Sequence, residues 1–567
     1  MMTGFQTSPR MAQRARVGAL GPMLGLVAVL AAGCAPRAPA TGALEPRAAS
    51  EKRPNILIIE VDHLGTELGA YGDRAAATPN IDALARQGVT FANAYAASGG
   101  EDAETAALLT GVHPSTIDVV QEWTGEARWS VAPPPEVKAY PELLRAAGYH
   151  TFHVGARRDP FGSPASLWVE DVQKPAPAWP SVNIRQPFLG VVDLSTLQDP
   201  TAAPKPRTLW DRLQFWRPDP DAERRVRSVA DARRIAVPAY LPDTPGVRAA
   251  LKGEYDRVHH VDDEVGAILK RLDRAGALKS TVVIFTAKTG PARPRAERTV
   301  YEAGVHVPLI VRWPDGRGRG SVRRDLVSGV DLAPSVLKTA GLQPFAWMQG
   351  RDRLVSTSDP AKFAFTVQNR VDGVYERVFA VRDGRWLYVL NLALQTPLAS
   401  LERPGPLATA LQAARAAGRL GPAQARLFSD ERPEGELYDL KTDPEAQHDL
   451  AQASAHSGDV QRLSRALNAF AISAPDTTTA STQDLLDSFQ PGGQTPTAMA
   501  PSAVVQAGRV TLNSISPGAA ILWRAAGAGP WKLYTGPIDA RAAAKIETRA
   551  VRYGFTPSAV TTVDLKP

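Results

Sequence analysis

The chain has 567 residues, 44% of them hydrophobic, with 65 lysines and arginines against 58 aspartates and glutamates for a net charge of +7. That length exceeds what one hydrophobic core usually supports, so a large domain with smaller satellites is expected. The basic residues are scattered rather than gathered into a stripe, which argues against nucleic acid as a partner. A single cysteine excludes a disulfide framework and an internal cysteine metal site.

The N-terminus carries Arg10, Arg14 and Arg16, then an apolar run from Met23 to Ala32, then Gly33 and Cys34. The run is shorter than the roughly 20 residues that span a bilayer and reads as an export signal. Its LAAGC ending resembles the processing site of bacterial lipoproteins, with Ala31 where leucine is more usual. That resemblance implies cleavage before Cys34, acylation of Cys34 and attachment to a bacterial membrane on its periplasmic or outer face, with residues 35–52 as a tether. A cleaved signal in which Cys34 is incidental is the alternative. No later stretch reads as transmembrane.

Asn55–Val61 is a β-branched apolar run that turns polar at Asp62 and His63, as expected of a buried parallel strand ending in a functional loop. Thr281–Thr286 (TVVIFT) repeats the form and ends at Lys288 and Thr289, and Val307–Val311 gives a third strand. Helices are expected to start near Pro79 and Pro141, and a longer one covers Glu254–Ala275, closed by Gly276. Strands alternating with helices predict an α/β fold, a central mostly parallel sheet flanked by helices, over residues 53–350. Ligands of such sheets bind beyond the carboxyl ends of the strands, where Asp62, His63, Lys288 and Thr289 fall. Glu101–Gly111 (EDAETAALLTG) reads as a helix whose first turn is acidic, with Asp102 and Glu104 placed to interact with the helix N-terminus.

A smaller α+β region is expected over 351–473. It includes two strands around an Asp383-Gly384 turn within 378–394, a helical segment near Leu407–Leu427, and the GELYDLKTDP element from Gly435. Residues 474–503 are rich in Thr, Ser, Pro, Gln and Gly and read as a linker. Short strand-like pieces over 504–567 predict a C-terminal β-sandwich, similar to chitobiase-type modules, serving either as a spacer or in glycan binding. His113, His259, His260 and His306 are expected to be structural.

The phrases RPNILIIEVDHLG, TPNIDALARQGVTFANAY, AALLTG, YEAGVHVPLIVRWP, VDLAPSVLKTAGL and GELYDLKTDPEAQHDLA occur in this order. Together they resemble the sulfatase family, within the alkaline-phosphatase-like superfamily, over residues 53–451. The resemblance implies sulfate-ester hydrolysis by a formylglycine made from Cys or Ser in a Cys/Ser-x-Pro-x-Arg motif. Here Glu101 stands at the nucleophile position, Ala103 at the proline and Thr105 at the arginine. Of the positions that would hold calcium, Asp62 is retained, His63 replaces a carboxylate, and Lys288 and Thr289 take the later pair. Calcium prefers oxygen ligands, and an ammonium repels it. Ala156, Arg158, Gln198 and Glu297 stand at positions that would bind sulfate or move protons, and glutamine moves none near neutral pH.

The sequence therefore suggests a surface-anchored, sulfatase-like protein without sulfatase activity. It would act as a scaffold or bind a glycan or sulfated polysaccharide, with no cofactor and with calcium retained only if the altered site is rescued. The alternative is a sulfuric ester hydrolase, or a metal-dependent hydrolase using a set such as Asp62, His63, Glu101, Asp102 and Glu104. A further expectation is that Glu101 and Asp62 pair with Lys288 or Arg158, so that internal ion pairs replace metal and sulfate.

Overall fold

The computed structural model describes residues 53–565 apart from 120, 123–129, 156–159, 163, 173–185, 197–228, 372–373, 395–396, 399–404, 430, 474–480 and 528. Cys34, Ala156, Arg158 and Gln198 lie outside the described residues.

The fold is mixed α/β and is built on an eight-stranded sheet in the order β5-β4-β6-β1-β7-β8-β2-β9. The strands are β1 (Asn55–His63), β2 (Val89–Tyr95), β4 (His150–Val154), β5 (Glu170–Val172), β6 (Phe188–Leu194), β7 (Thr281–Thr289), β8 (Leu309–Arg312) and β9 (Ser321–Ser328). Only β8 runs antiparallel to its neighbours in this sheet. The central strands β1, β6 and β7 are continuous hydrophobic runs because helices cover both sheet faces, and Ile56 to Ile59 and Val282 to Phe285 are almost wholly buried.

The sheet is flanked by α1 (Pro79–Gln87), α2 (Glu101–Thr110), α3 (Tyr140–Ala146), α4 (Pro245–Arg274) and α5 (Leu332–Thr339). Helix α4 starts nine residues before the expected Glu254. Thr244 caps it by accepting from the Val247 amide, and Pro245 sits at the first position, where its missing N–H costs nothing. Helix α2 is buried along nearly its full length and stops at Gly111, whose φ of +72° suits glycine.

A second, five-stranded sheet has the order β13-β12-β11-β10-β3, with β3 (Gln121–Glu122), β10 (Ala364–Val371), β11 (Val374–Arg382), β12 (Trp386–Asn391) and β13 (Gly435–Asp439). The helical stretch expected over 407–427 is interrupted. Helix α6 (Pro406–Ala416) ends before Gly418, at φ +64°, and short turns follow over Pro422–Phe428. Helix α7 (Ser457–Ser473) packs Leu463, Leu467 and Phe470 on the second sheet.

The stretch read as a linker contains α8 (Thr482–Phe489), whose N-terminus is closed by a reciprocal Ser481–Asp484 capping box. After it come two small antiparallel sheets, built from β14 (Ser502–Gln506), β15 (Arg509–Asn513), β16 (Ala520–Ala525), β17 (Lys532–Leu533), β18 (Ile538–Asp539), β19 (Lys545–Val551) and β20 (Thr561–Asp564). They are anchored to the main domain. The Tyr553 ring stacks on Phe161 at 5.3 Å, and its hydroxyl donates to Glu142 at 3.1 Å. Lys138 donates to the Gly518 carbonyl, and Arg145 to that of Trp531.

Candidate active site

Strands β6, β1 and β7 deliver four polar groups to one end of the sheet. In the parallel register, Glu60 lies opposite Asp193, and Val61 opposite Ala287, which sets Asp62 beside Lys288 on the next pleat. The N-terminus of α2 brings Glu101 to the same point. Lys288 Nζ stands 3.0 Å from Asp62 Oδ1, 3.3 Å from Glu101 Oε1 and 3.3 Å from Asp193 Oδ1, with its side chain wholly buried. Burial pulls the Lys288 ammonium down, but Asp193, Asp62, Glu101 and Glu60 outweigh it and hold the amine well above the ordinary lysine value. Asp62 is raised above the usual carboxylate range, chiefly by burial, with Lys288 opposing and Glu101 and Asp193 reinforcing the shift.

On the opposite pleat, His63 lies across from Thr289. Their side chains meet at 2.9 Å between His63 Nδ1 and Thr289 Oγ1, and the Thr289 hydroxyl donates to the Asp62 carbonyl at 3.1 Å. A hydroxyl has one proton to give, so Thr289 accepts from Nδ1–H of His63. In the neutral ring Nε2 then carries a lone pair. That atom is buried without a hydrogen-bond partner among the described residues, 3.8 Å from Glu101 Oε2. His63 also lines a cavity of about 30 Å³ with Gly65, Glu67, Thr196, Glu254 and Arg293, a volume sufficient for a water molecule. Gly65, Glu67 and Arg293 also line an open cleft of about 520 Å³ whose rim carries Arg385 and Lys441.

Two residues that the sequence reading passed over complete the site. Asp193 was hidden inside the apolar phrase FLGVVDL, and His153 inside HTFHV. The His153 ring is wholly buried between Asp171 and Asp193, with each ring nitrogen 2.8 Å from a carboxylate oxygen. Only a doubly protonated ring donates to both, unless one of the carboxyls carries a proton. Gly155, at φ +129°, ends β4 against the Asp193 backbone, where a Cβ would approach the carbonyl to 2.6 Å.

Asp62, His63, Glu101, Lys288 and Thr289 thus come together, while other candidates do not join them. Thr105 is buried within α2. Glu297 lies in the loop after β7, 3.7 Å from Arg298. Glu104 turns back to accept from the Ala97 and Ser98 amides at 2.6 and 3.1 Å, and burial holds its carboxyl well above the ordinary range. It therefore anchors the turn before α2 instead of capping the helix itself, whose N-cap is Gly100. His259 donates from Nδ1 to the Ala77 carbonyl and His306 from Nε2 to that of Ala92, both structural contacts.

The residues present do not fit calcium. An ammonium fills the point on which Asp62, Glu101 and Asp193 converge, and the remaining partner of the pair, Thr289, is engaged by His63. Among the described residues no group of three or more His, Cys, Asp or Glu is arranged to hold a metal ion.

The sequence pattern described as Sulfatase matches residues 54–163 and 214–342. Over these segments the chain is similar to the sulfatase family. An ulvan-active sulfatase from Formosa agariphila is 28% identical over 543 residues, spanning 89% of this chain and 90% of that protein. Human N-sulphoglucosamine sulphohydrolase is 28% identical over 314 residues, covering 50% of this chain and 60% of its own length. Among solved structures, a protein bound to its substrate D-glucosamine-2-N,6-O-disulfate aligns with a TM-score of 0.52 and 17% identity, over 76% of this chain and all of that one. A 2-O glycosaminoglycan sulfatase aligns with a TM-score of 0.53 and 19% identity, over 76% and 94%. At those identities the structures speak for the fold.

These relationships correct the expectation of an inactive scaffold. A protein named for sulfatase activity matches this chain along nearly its whole length, through both sulfatase-like regions and beyond. The sequence reading took replacement of the nucleophile, the metal ligands and the sulfate-binding and proton-transfer positions for loss of sulfatase activity, and kept hydrolysis only as its alternative. The assembled pocket instead presents a buried imidazole nitrogen, paired carboxylates and a fixed cation around the same point.

Proposed function

We propose that this chain is a member of the sulfatase family that hydrolyses sulfate esters of a sulfated polysaccharide, with His63 as the base. The observation that carries the proposal is the buried His63 Nε2, fixed as a proton acceptor by the Nδ1–H bond to Thr289 and set beside Glu101. Similarity to an ulvan-active sulfatase over most of the chain supports the substrate class.

In this reaction a water molecule in the cavity beside His63 attacks the sulfur and gives its proton to Nε2. The bond between sulfur and the sugar oxygen breaks, and the imidazolium returns the proton to that oxygen, leaving an alcohol and hydrogen sulfate. Glu101, 3.8 Å from Nε2, stabilises the transient imidazolium by its charge, while Thr289 on Nδ1 orients the ring. Arg293, which lines both the water-sized cavity and the open cleft, is paired with Glu67 and lies 3.6 Å from Glu254, so it balances sulfate only by exchanging one of these partners, and burial lowers its guanidinium to about 10.

Released sulfate is to be measured on ulvan, carrageenan and glycosaminoglycan oligosaccharides, in chelator and in added metal. Turnover that survives chelator and falls at least ~100-fold in His63→Gln is expected. Absence of turnover on every sulfated glycan, or full activity of His63→Gln, overturns the proposal. Anchoring through Cys34 would hold the enzyme at a membrane, where long polysaccharides are met outside the cell.

A further inference from the structure

Three carboxylates from separate elements converge on Lys288: Asp62 from β1, Glu101 from α2 and Asp193 from β6, at 3.0, 3.3 and 3.3 Å. An ammonium has three N–H bonds and no acceptor; Lys288 donates to Asp62 and Glu101, and Asp193 Oδ1 completes the set at ion-pair distance. Without a cation, three carboxylates this close repel one another and draw protons. Oxygen atoms gathered from several chain segments around one buried point are also what a hard divalent cation requires. The site therefore has the donor set of a cation site, with the cation supplied by β7 of the same chain.

We propose that Lys288 is a built-in cation that takes the place of a divalent metal, so that the native site binds none, and that a shorter neutral side chain at position 288 opens a divalent-cation site on Asp62, Glu101 and Asp193. A tethered ammonium pays no entropy of association and cannot be removed by chelators. It also carries half the charge of calcium, which fits a site whose other neighbours include protonatable groups, His63 at 3.8 Å from Glu101 and His153 at 2.8 Å from Asp193. Asparagine ends two bonds short of the lysine nitrogen, which empties the point of convergence and adds an oxygen donor. The inference concerns cation binding alone and stands whether or not the proposed hydrolysis is found.

Full-length wild type and Lys288→Asn, both dialysed against chelator, are to be compared by equilibrium dialysis with calcium and by thermal unfolding. Wild type is expected to retain less than a tenth of an equivalent of calcium and to show no change in Tm. Lys288→Asn is expected to bind about one equivalent and to gain at least ~2 °C in millimolar calcium. Near-stoichiometric calcium on the wild type overturns the proposal, whatever the variant does. Lys288→Asn that is folded by circular dichroism and gains neither calcium nor Tm also overturns it. If Lys288→Asn folds only when calcium is added, the proposal holds. If it folds under neither condition, the same measurements on Lys288→Gln decide in the same way. Adding Asp62→Asn to Lys288→Asn is expected to abolish the gain, and calcium binding that survives in this double variant places the ion elsewhere and overturns the assignment.

Discussion

His63 Nδ1 lies 2.9 Å from Thr289 Oγ1, across the junction of β1 and β7, and this contact decides which nitrogen of His63 stands beside Glu101. Replacing Thr289 by valine keeps the shape but removes the acceptor, leaving a buried N–H unpaired and the ring free to turn or change tautomer. Sulfate release by Thr289→Val is expected to lose roughly 10- to 100-fold in kcat with KM little changed, because the substrate's contacts are elsewhere. Thr289→Ser restores the hydroxyl and is expected to recover most of kcat. Equal kcat in wild type and Thr289→Val would remove the positioning role.

Lys288 is the most heavily surrounded charge in the pocket, and its loss leaves Asp62, Glu101 and Asp193 uncompensated. Breaking a buried ion pair by removing one partner costs about 3–5 kcal/mol, so Lys288→Met is expected to be destabilised by that order in urea unfolding. The amine's folded pKa is raised, so its contribution is full below the ordinary lysine value and is lost as pH rises through the folded one. In the Met variant the deficit should shrink in acid, as the carboxyls take up protons. A deficit independent of pH would show that packing, rather than charge, is what Lys288 provides.

Much of this site could be read in the sequence because β1 and β7 announce themselves. Each is an apolar run that turns polar at its end, and parallel pairing of such runs must bring Asp62–His63 beside Lys288–Thr289. Glu101 was legible through the family resemblance, which set it at the nucleophile position. Asp193 was not, because a lone aspartate in a hydrophobic strand looks like an interruption until the sheet order sets β6 next to β1. His153 required two more pairings, β4 with β5 and β4 with β6, which no local pattern reports. The early start of α4 was hidden because its first turns contain Pro245, Gly246 and Gly253 and its cap lies in a Pro-rich stretch, while the helix within 474–503 was obscured by composition alone. The larger error was chemical: the pairing of Asp62 and Glu101 with Lys288 was expected, but it was taken to end the site's chemistry.

His113 offers a pH test far from the proposed chemistry. Its ring packs edge-on against Phe470 at 4.7 Å, and burial lowers it from the ordinary histidine value of 6.5 to about 4. The folded protein therefore resists a proton that the unfolded chain accepts. Stability from this residue is full above 6.5 and is lost as pH falls from there toward 4, by about 3 kcal/mol in all. Glu254, raised by burial to about 8, acts in the opposite sense, but it does so in any variant at position 113 and cancels in a comparison. The difference in unfolding free energy between wild type and His113→Leu should thus change by about that amount between pH 7 and pH 4. A difference that stays constant across the range would mean that His113 is not buried as a neutral ring.

Tyr553 sets whether the C-terminal sheets are a docked part of the molecule or a passenger on a chain. Its ring stacks on Phe161, and its hydroxyl accepts from the Ala139 amide at 3.0 Å and donates to Glu142 at 3.1 Å, at the start of α3. Truncating a buried aromatic costs about 3–5 kcal/mol, whereas removing the hydroxyl alone costs about 1 kcal/mol plus the price of the unpaired amide. Tyr553→Ala is therefore expected to unfold at distinctly lower urea, with protease cleavage appearing near residues 474–503, and Tyr553→Phe to sit between it and wild type. If both variants unfold with the wild-type midpoint and resist protease equally, the contact with Phe161 and Glu142 contributes nothing, and the C-terminal sheets are held by the segment that precedes them.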